Sequence, residues 1–334
     1  MEEELSMGRI PALDGLRTLA IAAVIAYHVD RDIVPAGHWG VPMFFVLSGF
    51  VITGSLCAEM DRTGRLDLGT FYRKRLLRLI PALTVVCIVM LAVGTTWSKV
   101  LPSIGLYANY ARVEGVHLGR LTHTWFLAVI AHFYLVWPLV IGAIPARRRA
   151  VVIGGLAVAA IAWRAVAIGV MSPGWVYNAT DTNAAALFTG AFLAVAAAPV
   201  WRAVVRWSIP ALFGLMLLPV FGDTGRLVLW GGFLAMALSA FALQYASTGP
   251  TWLQHRWLLR IAEVSFGLYL WHYVFVRSDI PLWVAAIGTV AATLASWFLV
   301  ERPILRWDAN ARQRRSSGGR LVIPTRTPAP SAVK

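Results

Sequence analysis

Arg17 and His28 stand eleven residues apart in an otherwise apolar stretch, LDGLRTLAIAAVIAYH. At 3.6 residues per turn that spacing is about three turns, so both side chains leave one stripe of a helix, roughly 16 Å apart along its axis. The guanidinium is permanently charged, and the imidazole can take or give a proton near neutral pH. Both groups are costly in hydrocarbon, which points to a buried functional path, with anchoring of the helix ends at the headgroups as the competing reading. Asp14, one turn before Arg17, either pairs with it or caps the helix.

Further candidates follow along the chain. The run FYRKRLLRL carries Arg73, Arg75 and Arg78, of which Arg75 and Arg78 share a helix face. Read blandly, the run is a positive anchor at a membrane surface. His123, His132 and His272 occur beside aromatic residues in HTW, AHF and LYLWH, and His123 and Trp125 flank the start of an apolar segment. Each of these histidines is a packing element or a binding residue. No metal-ligand, Walker or dinucleotide motif is present, and Cys57 and Cys87 read as free thiols. No metal is expected.

These residues need elements to hold them, and composition says which kind. Of the 334 residues, 58% are hydrophobic and 14% charged, about half the charge density of a soluble domain. The fold class is therefore all-α, a polytopic membrane helix bundle. Periodicity places about ten spans near 12–29, 40–58, 80–97, 123–144, 150–170, 184–199, 208–222, 227–246, 258–276 and 281–300. Residues 69–79 read as an amphipathic interfacial helix entering the third span at Pro81. The N-terminal MEEELSMGRIP has no basic leader region, so the first apolar segment is expected to stay as a helix. A membrane domain over 1–306 and a basic, disordered cytoplasmic tail over 307–334 complete the organisation.

The net charge of +14 would raise nucleic acid as a partner in a soluble chain. Here the basic residues sit in short loops, which points to topology and anionic lipid instead. With the N-terminus inside, 22 of the 30 Lys and Arg fall on the inner side and six on the outer side. That bias places both termini in the cytoplasm. Arg17 and the 73–78 run then lie toward the cytoplasm, and His28, His123, His132 and His272 toward the outside. Basic groups inside and imidazoles outside suit an anionic donor entering from the cytoplasm and an acceptor waiting outside.

Five segments in order resemble the membrane-bound acyltransferase family 3, whose members O-acylate cell-surface carbohydrates and some secreted small molecules. They are IPALDGLRTLAIAAVIAYH, GVPMFFVLSGFVIT, FYRKRLLRLIPAL, HTWFLAVIAHFYLVWPL, and SFGLYLWHY with ERPILR, together spanning 11 to about 306. The resemblance implies an O-acyltransferase of the cell (plasma or inner) membrane, using acyl-CoA, with acetyl-CoA as the expected donor. It implies His28 as the catalytic histidine, Arg17 as its functional partner, and Arg73, Arg75 and Arg78 beside the donor. The acceptor would be a glycan, lipid-linked sugar or glycosylated small molecule, with His132, His272, His123 and Trp125 as its binding candidates. An imidazole suits acyl transfer to a hydroxyl, and Arg suits the phosphates of CoA. The Ser48-Gly49 backbone offers a place for close ligand approach.

Two departures stand out. Family members often carry paired acids where this chain has Ile130 and Ala131, and a Gln where it has His132. They also often show Arg-x-Asp where it has Asn183 and Ala185. Three readings follow: His132 substitutes, the acceptor is unusual, or the chemistry is weakened. A transporter or flippase is the competing function, because several titratable residues line a membrane bundle. Arg164 has no evident partner in the sequence, and Glu301 with Arg302 and Pro303 reads as a closing cap at the inner surface.

Overall fold

The computed structural model describes residues 10–196, 202–219 and 226–318, and all regular structure within them is helical. The helices are α1 (Pro11–Val29), α2 (Gly40–Thr63), α3 (Leu68–Ala92), α4 (Trp97–Ile104), α5 (Ala108–Val113), α6 (Trp125–Ala143), α7 (Arg149–Val170) and α8 (Pro173–Asn178). Then come α9 (Thr180–Val195), α10 (Arg202–Val205), α11 (Ser208–Met216), α12 (Arg226–Ser247), α13 (Arg256–Val276), α14 (Leu282–Ser296) and α15 (Arg302–Gly318).

Seven segments among the described residues are long and apolar enough to cross a membrane: Pro11–Val29, Gly37–Thr63, Leu68–Ala92, Gly119–Ala143, Ala146–Val170, Leu229–Ser247 and Leu282–Arg312. Large apolar side chains remain on their outer faces, including Leu135, Val136, Leu139, Val151, Val158 and Leu299, as a lipid-facing surface requires. The other three expected spans take different forms. For the span expected at 184–199, the described part is α9, whose 16 residues reach about 24 Å, and 197–199 lie outside the described residues. For the span expected at 208–222, the described part is the nine-residue α11, and 220–222 lie outside the described residues. The segment at 258–276 is α13, with Arg256, Arg260 and Glu263 in its first turns.

The basic segment 69–79 is the first half of α3, which runs unbroken through Pro81 into the third span, as expected. Asp67 caps it, accepting from the Thr70 backbone N–H at 2.9 Å and from its hydroxyl at 2.7 Å, and these bonds hold its carboxyl below the ordinary range. Arg75 and Arg78 consequently enter the bundle and do not lie on a surface. At the other end, the chain does not loosen at Asp308. A π turn over Trp297–Glu301 joins α14 to α15, and the helix continues to Gly318. Buried Asp308 meets Arg73 at 2.9 Å and Arg312 at 3.1 Å, fastening α15 to the start of α3. Residues 319–334 of the expected tail lie outside the described residues. Glu301 is buried, accepting from the Ser296 hydroxyl at 3.0 Å, and is no surface cap.

Close helix crossings rest on glycine. A Cβ at Gly49 of α2 would stand 1.9 Å from the Leu187 carbonyl oxygen of α9, and one at Gly190 of α9 would stand 1.8 Å from the Val46 oxygen of α2. The two backbones therefore touch reciprocally, as small residues allow in lipid. Gly49 serves helix packing here, not the ligand approach expected of it. Gly15 does the same for α1 against Leu253, where a Cβ would lie 1.9 Å from the carbonyl oxygen. Arg164 of α7 finds its partners in the break between α8 and α9, donating to the carbonyls of Val176 (3.2 Å) and Thr182 (3.3 Å). Such a break leaves carbonyls that need donors, and a buried guanidinium supplies them.

Candidate active site

α1 sets the axis of the site. Pro11 opens it, needing no N–H partner there, and Asp14 in the first turn bonds Arg17 at 3.0 Å. It stops after Val29, where Asp30 turns extended and its carboxylate accepts from the Asp32 (2.8 Å) and Ile33 (3.3 Å) N–H groups. His28 is thus held in the last turn of a rigid helix.

Arg17 and His28 do not share one cavity. Arg17 lines a chamber of about 200 Å³ with Arg75, Arg78, Ser48, Tyr134 and Ser265. His28 lines another of about 260 Å³ with His123, Trp125, Arg112, Arg31 and Tyr177. Phe126 and Tyr269 border both, so the chambers stand back to back across an aromatic layer. The single stripe foreseen for the pair is real along α1, but α6 and α13 push these two rings across it.

Three imidazoles from three elements converge at the histidine chamber: His28 and His123 line it, and His272, expected to bind the acceptor, lies behind them and lines neither chamber. His28 Nδ1 lies 3.1 Å from His272 Nε2, and the His123 ring centre is 5.7 Å from that of His272. His272 is fully buried, with its Nδ1 2.7 Å from the Tyr269 carbonyl and 3.2 Å from that of Leu268. His123, in a 3₁₀ turn leading into α6, bonds the Leu270 carbonyl through Nε2 at 3.1 Å, and Tyr269 donates its hydroxyl to the His123 carbonyl. Tyr273 packs its ring against His28 and His123, with centres 4.7 and 5.0 Å away. Trp125 forms a wall, 5.1 Å from Tyr177 and 5.9 Å from the Arg112 guanidinium.

In the arginine chamber, Arg75 lies 5.3 Å over the rings of both Phe71 and Tyr134, and its Nε–H is buried without an acceptor. An orphaned donor of that kind fits an anionic ligand group. Arg73 is outside the chamber, spent on Asp308. His132 is outside both chambers; its Nδ1 bonds the Thr180 hydroxyl at 2.8 Å, and Thr180 also accepts from Asn109 at 3.0 Å. That residue ties α6 to α5 and α9. Cys57 and Cys87 are buried and unpaired, and no metal-holding cluster occurs among the described residues.

The sequence reading missed Arg112, Tyr177, Phe126, Tyr269 and Tyr273. Arg112 is the most informative. It lies on α5, a six-residue helix in a segment the sequence reading gave no structure, and no ion pair reaches it among the described residues. Burial disfavours its charge and pulls its pKa below the ordinary value. The available signal was an arginine two residues after Tyr110 in a polar loop. Tyr269 falls three residues before His272 and four before Tyr273, the spacings that put it on a face of α13 with each of them.

Comparison with known proteins places this arrangement. A family model described as an acyltransferase domain matches residues 10–301. The O-acetyltransferase OatA of Staphylococcus aureus, strains NCTC 8325 / PS 47 and MRSA252, is 29% identical over 362 aligned positions, covering 91% of this chain and 58% of the relative. The chain thus spans about three-fifths of the length of the relatives it matches. No solved structure matches. The matched segment takes in both chambers and the aromatic layer between them, and the chain belongs to the acyltransferase family.

Proposed function

We propose that this protein moves an acyl group, acetyl in the first instance, from acyl-CoA to a hydroxyl of a glycan, glycolipid or glycosylated small molecule. One observation carries the reading: three guanidiniums and a reactive imidazole face opposite sides of one aromatic layer in a chain of the acyltransferase family. Arg75, Arg78 and Arg17 would hold the phosphates of the donor through charge-assisted hydrogen bonds, on the cytoplasmic side given by the charge bias. The pantetheine arm, which is uncharged and narrow, would reach His28 by parting Phe126 and Tyr269, whose ring centres lie 5.5 Å apart. The acceptor would occupy the other chamber, where ring faces suit the C–H faces of sugars.

The step balances without further reagents. His28 Nε2 takes the proton of the acceptor hydroxyl as its oxygen attacks the thioester carbonyl. The tetrahedral oxyanion collapses, the C–S bond breaks, and the leaving thiolate recovers the proton from the imidazolium. Arg112, which lines the chamber together with Arg31, would be the cation that meets the oxyanion, in surroundings where charge is little screened. An acyl group carried briefly on His28 remains the alternative route within the same reading. In place, the enzyme would be a multi-pass protein of the cell membrane with both termini inside.

The test is transfer of label from [¹⁴C]acetyl-CoA sealed inside proteoliposomes to a sugar acceptor outside, with N-acetylglucosamine pentamer and octyl glucoside as first probes. Acetylated acceptor is expected. Acetyl-CoA-independent passage of solute with no ester formed would favour the transporter.

Two variants sharpen the assignments. Arg75→Ala and Arg78→Ala should each raise the KM for acetyl-CoA about tenfold to a hundredfold, the effect of losing about 1.5–3 kcal/mol of charged hydrogen bonding. Arg73→Ala should leave that KM within twofold and lower the unfolding temperature instead. Equal effects from all three would return the run to a plain surface anchor. Arg112→Ala should lower kcat by about 10²-fold with little change in donor KM, read by initial rates at saturating acetyl-CoA.

A further inference from the structure

We infer that His272 is a positioning residue that decides which nitrogen of His28 reacts, doing with a neutral imidazole what a carboxylate does in other acyl-transfer sites. The inference rests on the assignment of His28 as base. Its premise is a chain of hydrogen bonds with only one consistent set of protons. Nδ1 of His272 faces two carbonyl oxygens, Tyr269 at 2.7 Å and Leu268 at 3.2 Å. Carbonyls only accept, so Nδ1 carries the hydrogen and donates. In the neutral ring Nε2 is then a lone pair, and it lies 3.1 Å from Nδ1 of His28. Two lone pairs do not face one another at that distance. His28 Nδ1 therefore carries its hydrogen and donates to His272.

The consequence falls on the third nitrogen. Nε2 of His28 is left bare: the hydrogen bond of the ring among the described residues runs through Nδ1, and the ring borders the chamber. His123 offers no rival: its Nε2 is committed to the Leu270 carbonyl, and its Nδ1 is buried from the chamber. Of the three imidazoles, only His28 presents a basic nitrogen. No carboxylate hydrogen-bonds His28 among the described residues, and Ile130, one of the positions where acids are missing, lines the other chamber. Fully buried His272 also cannot swing, which fixes the orientation of the His28 ring as well as its tautomer. When His28 takes a proton it still donates from Nδ1 to His272, so the chain survives the catalytic step.

The test uses the full-length chain in nanodiscs, with [¹⁵N]histidine labelling and His28→Asn for resonance assignment. His28 is expected as the Nδ1–H tautomer, the one imidazole side chains disfavour in water. His272→Leu removes the acceptor and should lower kcat about a hundredfold with KM for acetyl-CoA within twofold. His272→Gln restores an acceptor oxygen and should recover at least tenfold of that loss, using N-acetylglucosamine pentamer or octyl glucoside as acceptor. An Nε2–H tautomer for His28 in the unmodified protein overturns the inference, as does His272→Leu turning over at the normal rate. Equal loss in both variants with the His28 tautomer unchanged would reduce His272 to packing. If His272→Leu does not fold, the tautomer and the glutamine variant decide alone. Should His28→Ala keep full turnover, the functional proposal itself fails; should His28→Ala be inactive and His272→Leu active, only this inference does.

Discussion

His28→Ala loses turnover by about 10²–10⁴-fold, the range expected when a general base is removed, and leaves a folded protein. The structural cost is small by comparison. The side chain is part-buried, and its removal orphans one nitrogen, Nε2 of His272, which is worth about 1–3 kcal/mol. KM for acetyl-CoA should change little, because Arg17, Arg75 and Arg78 line the other chamber. Initial rates with sealed [¹⁴C]acetyl-CoA, alongside a thermal unfolding midpoint in nanodiscs, separate the two contributions. A variant that unfolds normally and still acetylates at the wild-type rate removes the proposed base. Loss of rate accompanied by a collapsed midpoint would instead point to a structural histidine, and His28→Gln then serves as the milder substitution.

Gly190→Ala should be nearly as damaging, by an unrelated route. A methyl group there would sit 1.8 Å from the Val46 carbonyl oxygen and 3.0 Å from the Phe50 nitrogen, both backbone atoms. Flexible side chains can give way, but two helix backbones in reciprocal contact cannot, so α2 and α9 must part by roughly 1 Å or more. The expected cost is about 3 kcal/mol, with lost yield of folded protein. Gly155→Ala on α7 is the control, since a Cβ there meets nothing within 4 Å. It should be neutral or stabilise by about 0.5–1 kcal/mol through helix propensity. If the two variants melt together, the α2–α9 crossing is not the tight contact described.

α2 shows how position and role come apart. The glycine of Ser48-Gly49 is visible in the sequence, and a glycine in a membrane helix signals close approach to something. Whether that something is a ligand or a helix depends on where α9 passes, and Leu187 is 138 positions away. Arg73, Arg75 and Arg78 show the same limit at shorter range. Their spacing puts Arg75 and Arg78 on one face, but only the return of α15 reveals that Asp308 claims Arg73.

The amino-acid sequence by itself determined the helical class, the membrane character and the placement of Arg17 and His28 on one stripe of one helix. These follow from hydropathy and the helical period, which act over a few turns. Tertiary structure decided that the stripe is divided by Phe126 and Tyr269 into two chambers, that His272 and His123 meet His28, and that His132 does not. It also brought in Arg112, from a segment with no apolar period to mark it. The reason is one of range: which imidazoles touch is set by how α1, α6 and α13 cross, and no local pattern in any of the three encodes where the others will lie.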